Sequence, residues 1–317
     1  MKIIVTGSLG NISKPLTIDL VQKGHPVTVV SSKPEKQTAI EALGAIAAIG
    51  SMEDVKFLTD TFTGADAVYC MIPLSFTETN LTAYMHRIAN NYLQALKQAE
   101  VKRVVVLSGW AADLVNAENV EGIFDELTNA SITIMRPASF YSNFYSSIDM
   151  ISGNGFIGAF LTLRYSGLIA FLTGKRGLLI GNCGGDDKTV FVSPLDIADN
   201  VVEELLTTTE KTKIRYVGSE EMTCNEAAKI IGTAIGKPWL KWVLLSDKQM
   251  LQGLKMAKMP EQLAELLVEM QAATHSGKTL ENFHKNKPKM GKVKLKDFAV
   301  EFAAVYASPR PSPKERE

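Results

Sequence analysis

Short apolar runs rich in β-branched residues alternate with helical patterns along the first half of the chain. These runs predict strands at residues 2–6, 27–30, 46–49, 67–72, 103–108 and 132–135. Between them, apolar residues recur at helical spacing, most clearly at residues 80–99, where Ile88, Tyr92 and Leu96 share one face. A repeated strand–helix–strand order predicts an α/β fold on a parallel sheet with right-handed crossovers.

Helix-start signals dominate the second half, which predicts a smaller and mostly helical lobe. Ser193 and Pro194 predict a helix that runs to residue 206, and a strand follows at residues 214–217. An amphipathic pattern covers residues 260–274. Capping boxes predict further helix starts at Ser51 with Asp54, Thr223 with Glu226, and Ser246 with Gln249.

These patterns divide the chain into a core and a second lobe. We place the core at residues 1–145 and the second lobe at residues 146–305, with about residues 190–218 returning to the core. Residues 306–317 contain three prolines and almost no apolar side chains, so we expect a disordered tail.

Composition narrows the function classes. The chain is 46% apolar and 21% charged, which is typical of a globular protein. Its 34 basic and 34 acidic residues cancel, so the whole chain has no global attraction to nucleic acid or to an anionic membrane. Three cysteines are too few and too far apart for a disulfide framework, and the lack of a C-x-x-C pair argues against a cysteine-rich zinc site. The four histidines do not have the spacing of metal ligands either. Residues 1–7 lack a signal-peptide pattern, so we expect a cytoplasmic protein.

The most apolar stretch, residues 156–172, tests the expectation that the chain has no membrane segment. Arg164 interrupts this stretch and Lys175 follows it, which argues against a spanning helix. We expect this stretch to form a buried or partner-facing helix. The sequence is compatible both with a wall of a ligand pocket and with a dimer surface. The partners we expect are a small-molecule substrate and either a second copy of the chain or a regulatory protein.

A glycine-rich turn follows the first predicted strand and opens a helix. In Val5-Thr6-Gly7-Ser8-Leu9-Gly10-Asn11-Ile12-Ser13, Gly7 permits the tight turn and Gly10 permits close approach of a phosphate to the backbone. Ser13 stands where a third glycine is common. The N-terminus of the helix offers free N–H groups, so the turn predicts a dinucleotide-binding site.

The end of the second predicted strand bears on which dinucleotide is bound. NAD-selective sites usually carry an acid there that holds the ribose 2′-hydroxyl. This chain has Ser31, Ser32 and Lys33 instead, and the nearest acid is Glu35. Two hydroxyls and an ammonium suit a 2′-phosphate, so we expect NADP(H) to be preferred over NAD(H).

Several segments in order resemble the NmrA-like family of atypical short-chain dehydrogenases. They are TGSLGNISKPL, VQKGHPVTVVSSKPEK, FTGADAVYCMIPL, VKRVVVLS, ITIMRPASFYSNF, FVSPLDIAD and RYVGSEEMTCNEAAKIIGTAIGKP. The resemblance covers most of residues 1–305. It implies a Rossmann-type doubly wound sheet that binds NADP in the core, and a substrate site between the core and the second lobe.

The resemblance also implies roles for individual residues. Cofactor contacts would come from Gly7, Ser8, Gly10, Asn11, Ile12, Ser31, Ser32, Lys33, Met71, Ile72, Pro73, Ser108, Pro137 and Phe140. The substrate cleft would be lined by Trp110, Phe140, Tyr141, Asn143 and Phe144.

The catalytic pattern departs from that of the wider family. None of the eight tyrosines has a lysine four residues later, and the predicted helix at residues 117–127 carries four acids, Glu121 among them, but no lysine. Relatives without this pair are either NADPH-dependent reductases of quinones, dyes or similar electron-poor acceptors, or NADP-binding regulators without turnover. We expect a reductase, with Tyr141 as the candidate proton donor, and retain the regulator as the alternative.

Overall fold

The computed structural model describes residues 1–115, 120–153, 155–207, 212–286 and 288–308. The strands within this part of the chain are β1 (Ile3–Val5), β2 (Val27–Ser31), β3 (Ile46–Ile49), β4 (Ala67–Met71), β5 (Arg103–Leu107), β6 (Ser131–Pro137), β7 (Ser139–Phe140), β8 (Leu179–Gly181), β9 (Lys188–Val192), β10 (Lys213–Val217), β11 (Glu220–Thr223) and β12 (Trp242–Leu244).

Helices connect these strands and form most of the C-terminal half. They are α1 (Ser13–Gln22), α2 (Gln37–Glu41), α3 (Val55–Phe62), α4 (Leu81–Gln98), α5 (Ile148–Ser152), α6 (Gly155–Leu172), α7 (Pro194–Leu206), α8 (Cys224–Ala234), α9 (Asp247–Met256), α10 (Glu261–His275), α11 (Lys278–Lys285) and α12 (Leu295–Ala307). Short 3-10 helices cover Pro34–Lys36, Glu121–Glu126 and Tyr141–Ser147. None of the helices in the described part of the chain combines the length and apolar content that crossing a bilayer requires.

Seven strands form one sheet in the order β10-β6-β5-β4-β1-β2-β3, and every pair in it is parallel. The prediction of a doubly wound Rossmann-type sheet is therefore confirmed. The chain builds outward from β1 in one direction to β3 and then in the other to β10. In such sheets, ligands bind beyond the carboxyl ends of the strands at the point of reversal, which here lies between β1 and β4.

Apolar layers cover both faces of this sheet because successive strand residues point to opposite sides. One layer contains Ile3 and Val5 and includes buried residues of α1 and α7. The other contains Ile4 and includes buried residues of α3 and α4. The strands are thus apolar on both faces, as a buried parallel sheet requires.

Two small sheets that the sequence patterns did not reveal lie outside the main sheet. One has the order β11-β9-β7, and the other pairs β12 with β8. A third apolar cluster joins residues of the 3-10 helix Tyr141–Ser147 to α8 and α12. Strand β10 lies in the main sheet and α7 packs on α1, while the boundary at residue 145 stays a prediction.

Two of the three capping boxes predicted from the sequence are present in the structure. The capping boxes at Thr223 and Ser246 are both formed. The box predicted at Ser51 is wrong, because Asp54 itself caps α3 by accepting a hydrogen bond from the Phe57 N–H at 3.0 Å. The predicted helix at residues 117–127 is a 3-10 helix over Glu121–Glu126, and residues 116–119 lie outside the described part. Helix α12 extends to Ala307, while most of the predicted tail, residues 309–317, lies outside the described residues.

A buried carboxylate ties α7 to the amino end of the sheet. Glu204 on α7 is 1% exposed and pairs with Arg103 at 2.9 Å, Lys213 at 2.8 Å and Arg215 at 2.5 Å. Burial alone raises the pKa of Glu204, but hydrogen bonds from Lys213, Arg215 and Thr133 outweigh it and lower the pKa below 4.5. The carboxylate therefore stays charged at neutral pH and anchors three strands to one helix.

Replacing this carboxylate tests how much the fold depends on it. Glu204→Gln leaves Arg103 buried without its counter-charge, so we expect a loss of about 3 kcal/mol in the free energy of unfolding at neutral pH. Because the folded pKa is lowered, the contribution is present above pH 4.5 and disappears as the pH falls through the folded pKa. Urea unfolding from neutral to acidic pH measures both effects.

The matched control is Glu203→Gln, one residue earlier. Glu203 pairs with Arg215 but its side chain is 59% exposed, so its loss should cost less than about 1 kcal/mol. Equal losses in the two variants would contradict a special role for the buried carboxylate.

Candidate functional site

The turn between β1 and α1 has a backbone that only a few residue types adopt. Gly7 has φ of +88° and Ser8 has φ of +55°, so two consecutive residues occupy the left-handed region. A Cβ on Gly7 would lie 2.6 Å from Met71 Cε and 2.9 Å from Ser13 Oγ. Glycine is therefore favoured here by backbone conformation, and any larger residue would also displace the Met71 side chain and the Ser13 hydroxyl.

Hydrogen bonds hold this turn between β2 and β4. Thr6 Oγ1 accepts from the Met71 N–H at 2.8 Å, and the Ser8 N–H donates to the Val30 carbonyl at 3.0 Å. Ser13 Oγ donates to the Thr6 carbonyl at 2.8 Å, so the serine that replaces the third glycine closes the turn onto its own strand. The turn thus lies at the carboxyl edge of the sheet where the strand order reverses.

The start of α1 offers a set of free donors. Among the described residues, no protein acceptor pairs with the backbone N–H groups of Asn11, Ile12 and Ser13, and Ile12 has no side-chain cap. Gly10 and Asn11 are exposed. Unpaired N–H groups at the positive end of a helix dipole form a site for a phosphate.

The end of β2 lies beside this turn. Ser31 is buried, and its hydroxyl accepts from Ser8 Oγ at 2.9 Å and from the Lys33 N–H at 3.2 Å. Ser32 and Lys33 are exposed. Ser31 therefore shapes the turn, whereas Ser32 and Lys33 have side chains available to a ligand.

The end of β4 borders the turn on its other side. Met71, Ile72 and Pro73 are all half-buried, and the Met71 carbonyl accepts a hydrogen bond from the Tyr92 hydroxyl at 3.0 Å. The following loop presents Leu74 and Phe76 to solvent. This edge gives a ligand apolar surface beside the phosphate-binding turn.

Beyond β5, a serine joins a buried ion pair. Ser108 Oγ donates to Glu121, and Arg136 binds the same carboxylate through two bonds, Nε–Oε1 at 3.0 Å and Nη2–Oε2 at 2.6 Å. Ser108 itself is half-buried, whereas the side chain of Arg136 is only 7% exposed. The structure thus brings a hydroxyl, a carboxylate and a guanidinium together at the carboxyl ends of β5 and β6.

Further partners complete this network around Arg136. Its Nη1 donates to Asp113 Oδ2 and to the Tyr216 hydroxyl, both at 2.8 Å, and Asn282 on α11 donates to the same hydroxyl at 2.8 Å. Burial lowers the pKa of Arg136, but the bonds to Glu121 and Tyr216 outweigh it and raise the pKa above its ordinary value. The guanidinium is therefore permanently charged, and its neutralisation fixes the orientation of Glu121.

Sequence reasoning missed this network, although one signal for it was present. Arg136 is a charged residue at the end of the apolar run Ile132–Met135, a position where a buried partner is required. In the sequence, Glu121 stands out only as one of four acids in a segment without lysine. Its sequence neighbours give no indication that it pairs with Arg136.

Three of the predicted cleft residues are buried in packed clusters. Trp110 is 3% exposed and packs edge-on against Phe283, with ring centroids 6.0 Å apart. Tyr141 is fully buried, and its hydroxyl lies 3.2 Å from both Glu220 Oε2 and the Val293 carbonyl. Phe144 is 3% exposed among Phe191, Trp242 and Phe298. A substrate could reach these rings only after rearrangement, so their lining role stays a prediction.

The remaining predicted residues keep some free surface. Phe140 is half-buried in β7, and Asn143 is exposed. Pro137 is buried, and its carbonyl accepts from the Trp110 N–H at 3.1 Å, which joins the ends of β5 and β6. Residues available to a ligand therefore converge from the ends of β1, β2, β4, β5 and β6. No group of three or more His, Cys, Asp or Glu suited to a metal ion occurs within the described ranges.

A segment in the first half of the chain matches the model of a known protein family. Residues 7–139 match the family model described as NAD(P)H-binding. This segment contains the turn after β1 and the ends of β2, β4, β5 and β6. No curated protein matches the chain in sequence.

Solved structures share the fold over nearly the whole chain. The NADPH-dependent quinone oxidoreductase of Escherichia coli is 17% identical, with a TM-score of 0.67 over 95% of this chain and 99% of its own. The Citrobacter sp. triphenylmethane reductase complexed with NADP(H) is 19% identical, with a TM-score of 0.68 over 95% and 99%. A nucleoside-diphosphate-sugar epimerase from Staphylococcus aureus is 16% identical, with a TM-score of 0.69 over 95% and 100%. At these identities the neighbours show a shared fold.

The requirement for glycine in the turn can be tested against a second glycine of similar backbone. Gly7→Ala should weaken NAD(P)H binding at least about tenfold, because alanine is strained at φ of +88° and its Cβ would displace Met71 and the Ser13 hydroxyl that closes the turn. Gly24, after α1, has φ of +80° but no atom within 4 Å of an added Cβ. Gly24→Ala should therefore lower the free energy of unfolding by about 1 kcal/mol and leave affinity nearly unchanged. Fluorescence titration and thermal unfolding measure the two quantities, and equal affinity losses would contradict the assignment.

Proposed function

We propose that this chain, an NmrA-like protein with an NAD(P)H-binding Rossmann core, is an NADPH-dependent reductase of a small, apolar, electron-poor acceptor such as a quinone or a dye. The observation that carries the proposal is the anion-binding turn at α1 beside an end of β2 that bears Ser32 and Lys33 and no acid. A reductase of this kind mainly positions its two reactants and excludes water from them.

The residues present fit a bound dinucleotide phosphate. The free N–H groups of Asn11, Ile12 and Ser13 would hold the pyrophosphate, and Ser32 with Lys33 would hold the 2′-phosphate. Met71 and Ile72 would pack along the ribose. When bound, NADPH supplies the hydride, and the side chains around it decide which acceptor can approach.

Two of the similar structures favour this assignment. One is an NADPH-dependent quinone oxidoreductase, and the other is a triphenylmethane reductase. Both kinds of acceptor are conjugated and electron-poor, so both can accept a hydride. The exposed apolar side chains of Leu74 and Phe76 beside the end of β4 suit an acceptor of that character.

We assign the hydrogen bond to the acceptor to Ser108. Its hydroxyl is half-buried at the carboxyl edge of the sheet and donates to Glu121, which Arg136 holds in place. When an acceptor binds, the hydroxyl would keep its proton and turn to donate its one hydrogen bond to the acceptor oxygen or nitrogen, while solvent supplies the proton that is consumed. Tyr141, the donor expected from the sequence, stays a prediction that the same experiment tests.

A non-catalytic NADP(H) sensor remains the second candidate. The observation that favours it is the absence of the Tyr-x-x-x-Lys pair from the whole sequence. Such a protein would bind the cofactor as tightly as a reductase does, so turnover, and not binding, separates the two.

Cofactor titration followed by addition of menadione tests the proposal. We expect tight NADPH binding, weaker NADH binding and steady NADPH oxidation after menadione is added. Lys33→Glu should lower NADPH affinity about tenfold or more and spare NADH, because it removes one charge-assisted bond and adds repulsion. Lys36→Glu, also exposed but in the following 3-10 helix, is the matched control.

The outcomes of this titration distinguish a reductase from a sensor, and both from a protein that binds neither nucleotide. Tight NADPH binding without oxidation of NADPH by any quinone or dye favours the sensor. Equal affinities for NADPH and NADH would contradict the assignment of Ser32 and Lys33 to the 2′-phosphate. No binding of either nucleotide rejects both functions.

Paired variants separate the two candidate donors. Ser108→Ala should lower kcat at least about tenfold with NADPH affinity unchanged, because one hydrogen bond to the reacting acceptor is lost. Tyr141→Phe should leave kcat within about twofold and reduce the free energy of unfolding by about 1 kcal/mol, because it removes only a buried structural hydrogen bond. Steady-state kinetics and urea unfolding measure these effects, and the reverse pattern of kcat losses would assign the donor to Tyr141.

A further inference from the structure

Helix α6 presents an unusually apolar surface to solvent. This α6 surface consists of Phe160, Leu163, Leu168, Ile169 and Leu172, of which Ile169 and Leu172 are 79% and 71% exposed. The opposite side of the helix packs on the protein, where the buried Thr162 accepts a hydrogen bond from the Gly177 N–H at 3.2 Å. Contiguous exposed apolar side chains of this kind mark a contact with another molecule or with a membrane.

Cationic side chains surround the α6 surface. Arg164 and Lys175 are exposed, and the guanidinium of Arg176 lies 4.5 Å from the ring centre of Phe171. Lys241 joins them from a neighbouring segment, since its Nζ donates to the Tyr165 carbonyl at 2.6 Å. Residues 150–185 contain no Asp or Glu, so no acid in this stretch of sequence offsets the positive charge.

An amphipathic aromatic side chain lies at the same edge. The indole N–H of Trp239 donates to the Arg176 carbonyl at 3.3 Å, and the side chain is 36% exposed. Tryptophan is enriched where an apolar layer meets water, because its ring is apolar and its N–H is polar. The exposed apolar side chains of α6, the nearby cations and Trp239 are the residue types that occur together where proteins contact a membrane interface.

We propose that the α6 surface binds reversibly to an anionic lipid bilayer. The apolar side chains would enter the boundary between headgroups and acyl chains, and Arg164, Lys175, Arg176 and Lys241 would contact lipid phosphates. The helix lies on the membrane and does not cross it, because Arg164 interrupts it and it bends at Gly167, whose φ is +85°. The zero net charge of the chain is compatible with this binding, because only the local charge within a Debye length matters.

The cations favour a lipid surface over a second copy of the chain. A symmetric dimer through α6 would bring together two copies of the same positively charged surface, because a two-fold interface uses the same patch on both subunits. Two surfaces of like charge repel each other, whereas lipid phosphates carry the opposite charge. The inference does not depend on the proposed reductase activity, since it uses no residue assigned to the cofactor or acceptor.

Vesicle sedimentation tests the proposal with the full chain. We expect at least about fivefold more protein on phosphatidylcholine vesicles containing about a quarter phosphatidylglycerol than on pure phosphatidylcholine, with the excess falling at high salt. Ile169→Glu combined with Leu172→Glu should abolish the binding. Lys175→Gln, which cannot disturb packing, should weaken it about fivefold.

Val300→Glu is the matched control, because Val300 is an apolar residue 70% exposed on α12, outside the α6 surface. It should bind vesicles as the unmodified chain does, and far-UV circular dichroism verifies that every variant is folded. Absence of vesicle binding, or unchanged binding in the double variant, overturns the proposal. A dimer that Ile169→Glu dissociates in light scattering would also overturn it, because a second copy would then cover the α6 surface.

Discussion

Arg136 places a permanent positive charge inside the protein at the carboxyl end of β6, and neighbouring elements are arranged around its neutralisation. Glu121 binds it through two bonds, while Asp113 and the Tyr216 hydroxyl bind its Nη1. Leaving such a group unpaired would cost several kcal/mol, so the 3-10 helix Glu121–Glu126 and strand β10 must meet at this point. Ser108 receives its orientation from the same carboxylate.

Two buried ion networks lie at opposite edges of the sheet and differ in what they leave free. At the amino edge, Glu204 is surrounded by Arg103, Lys213 and Arg215 and keeps almost no exposed surface. At the carboxyl edge, the network around Arg136 leaves Ser108 half-exposed. The first network can therefore only stabilise the fold, whereas the second can also present a hydroxyl to a ligand. The middle of the sheet holds apolar layers, and for this reason both networks lie at strand ends.

The proposed cofactor and lipid sites use charge in different ways within a chain whose charges cancel overall. At the turn after β1, positive potential comes from backbone N–H groups, so the proposed pyrophosphate site needs no cationic side chain, and Lys33 is left for the 2′-phosphate. Around α6, positive potential comes from long flexible side chains, which adapt to a fluid surface. Fixed backbone N–H groups favour one ligand geometry, whereas flexible cationic side chains can bind phosphates in many geometries.

The sequence by itself determined the seven strands of the main sheet, the capping boxes at Thr223 and Ser246 and the glycine turn at Gly7. These features depend on a residue and its near neighbours, through strand patterning, backbone conformation and side-chain capping. The short strands β8, β9, β11 and β12 escaped prediction, because their pairing depends on contacts between distant segments.

Only the tertiary structure decided which of the candidate side chains stay available to a ligand. Tyr141 and Phe144 are buried because Phe298, about 150 residues further along the chain, packs against both rings. Glu121 is held beside Ser108 because Arg136, on another element, requires its charge. Burial and ion pairing depend on which elements meet in space, so local sequence identified the phosphate-binding turn while the packing of distant elements determined the arrangement around Ser108.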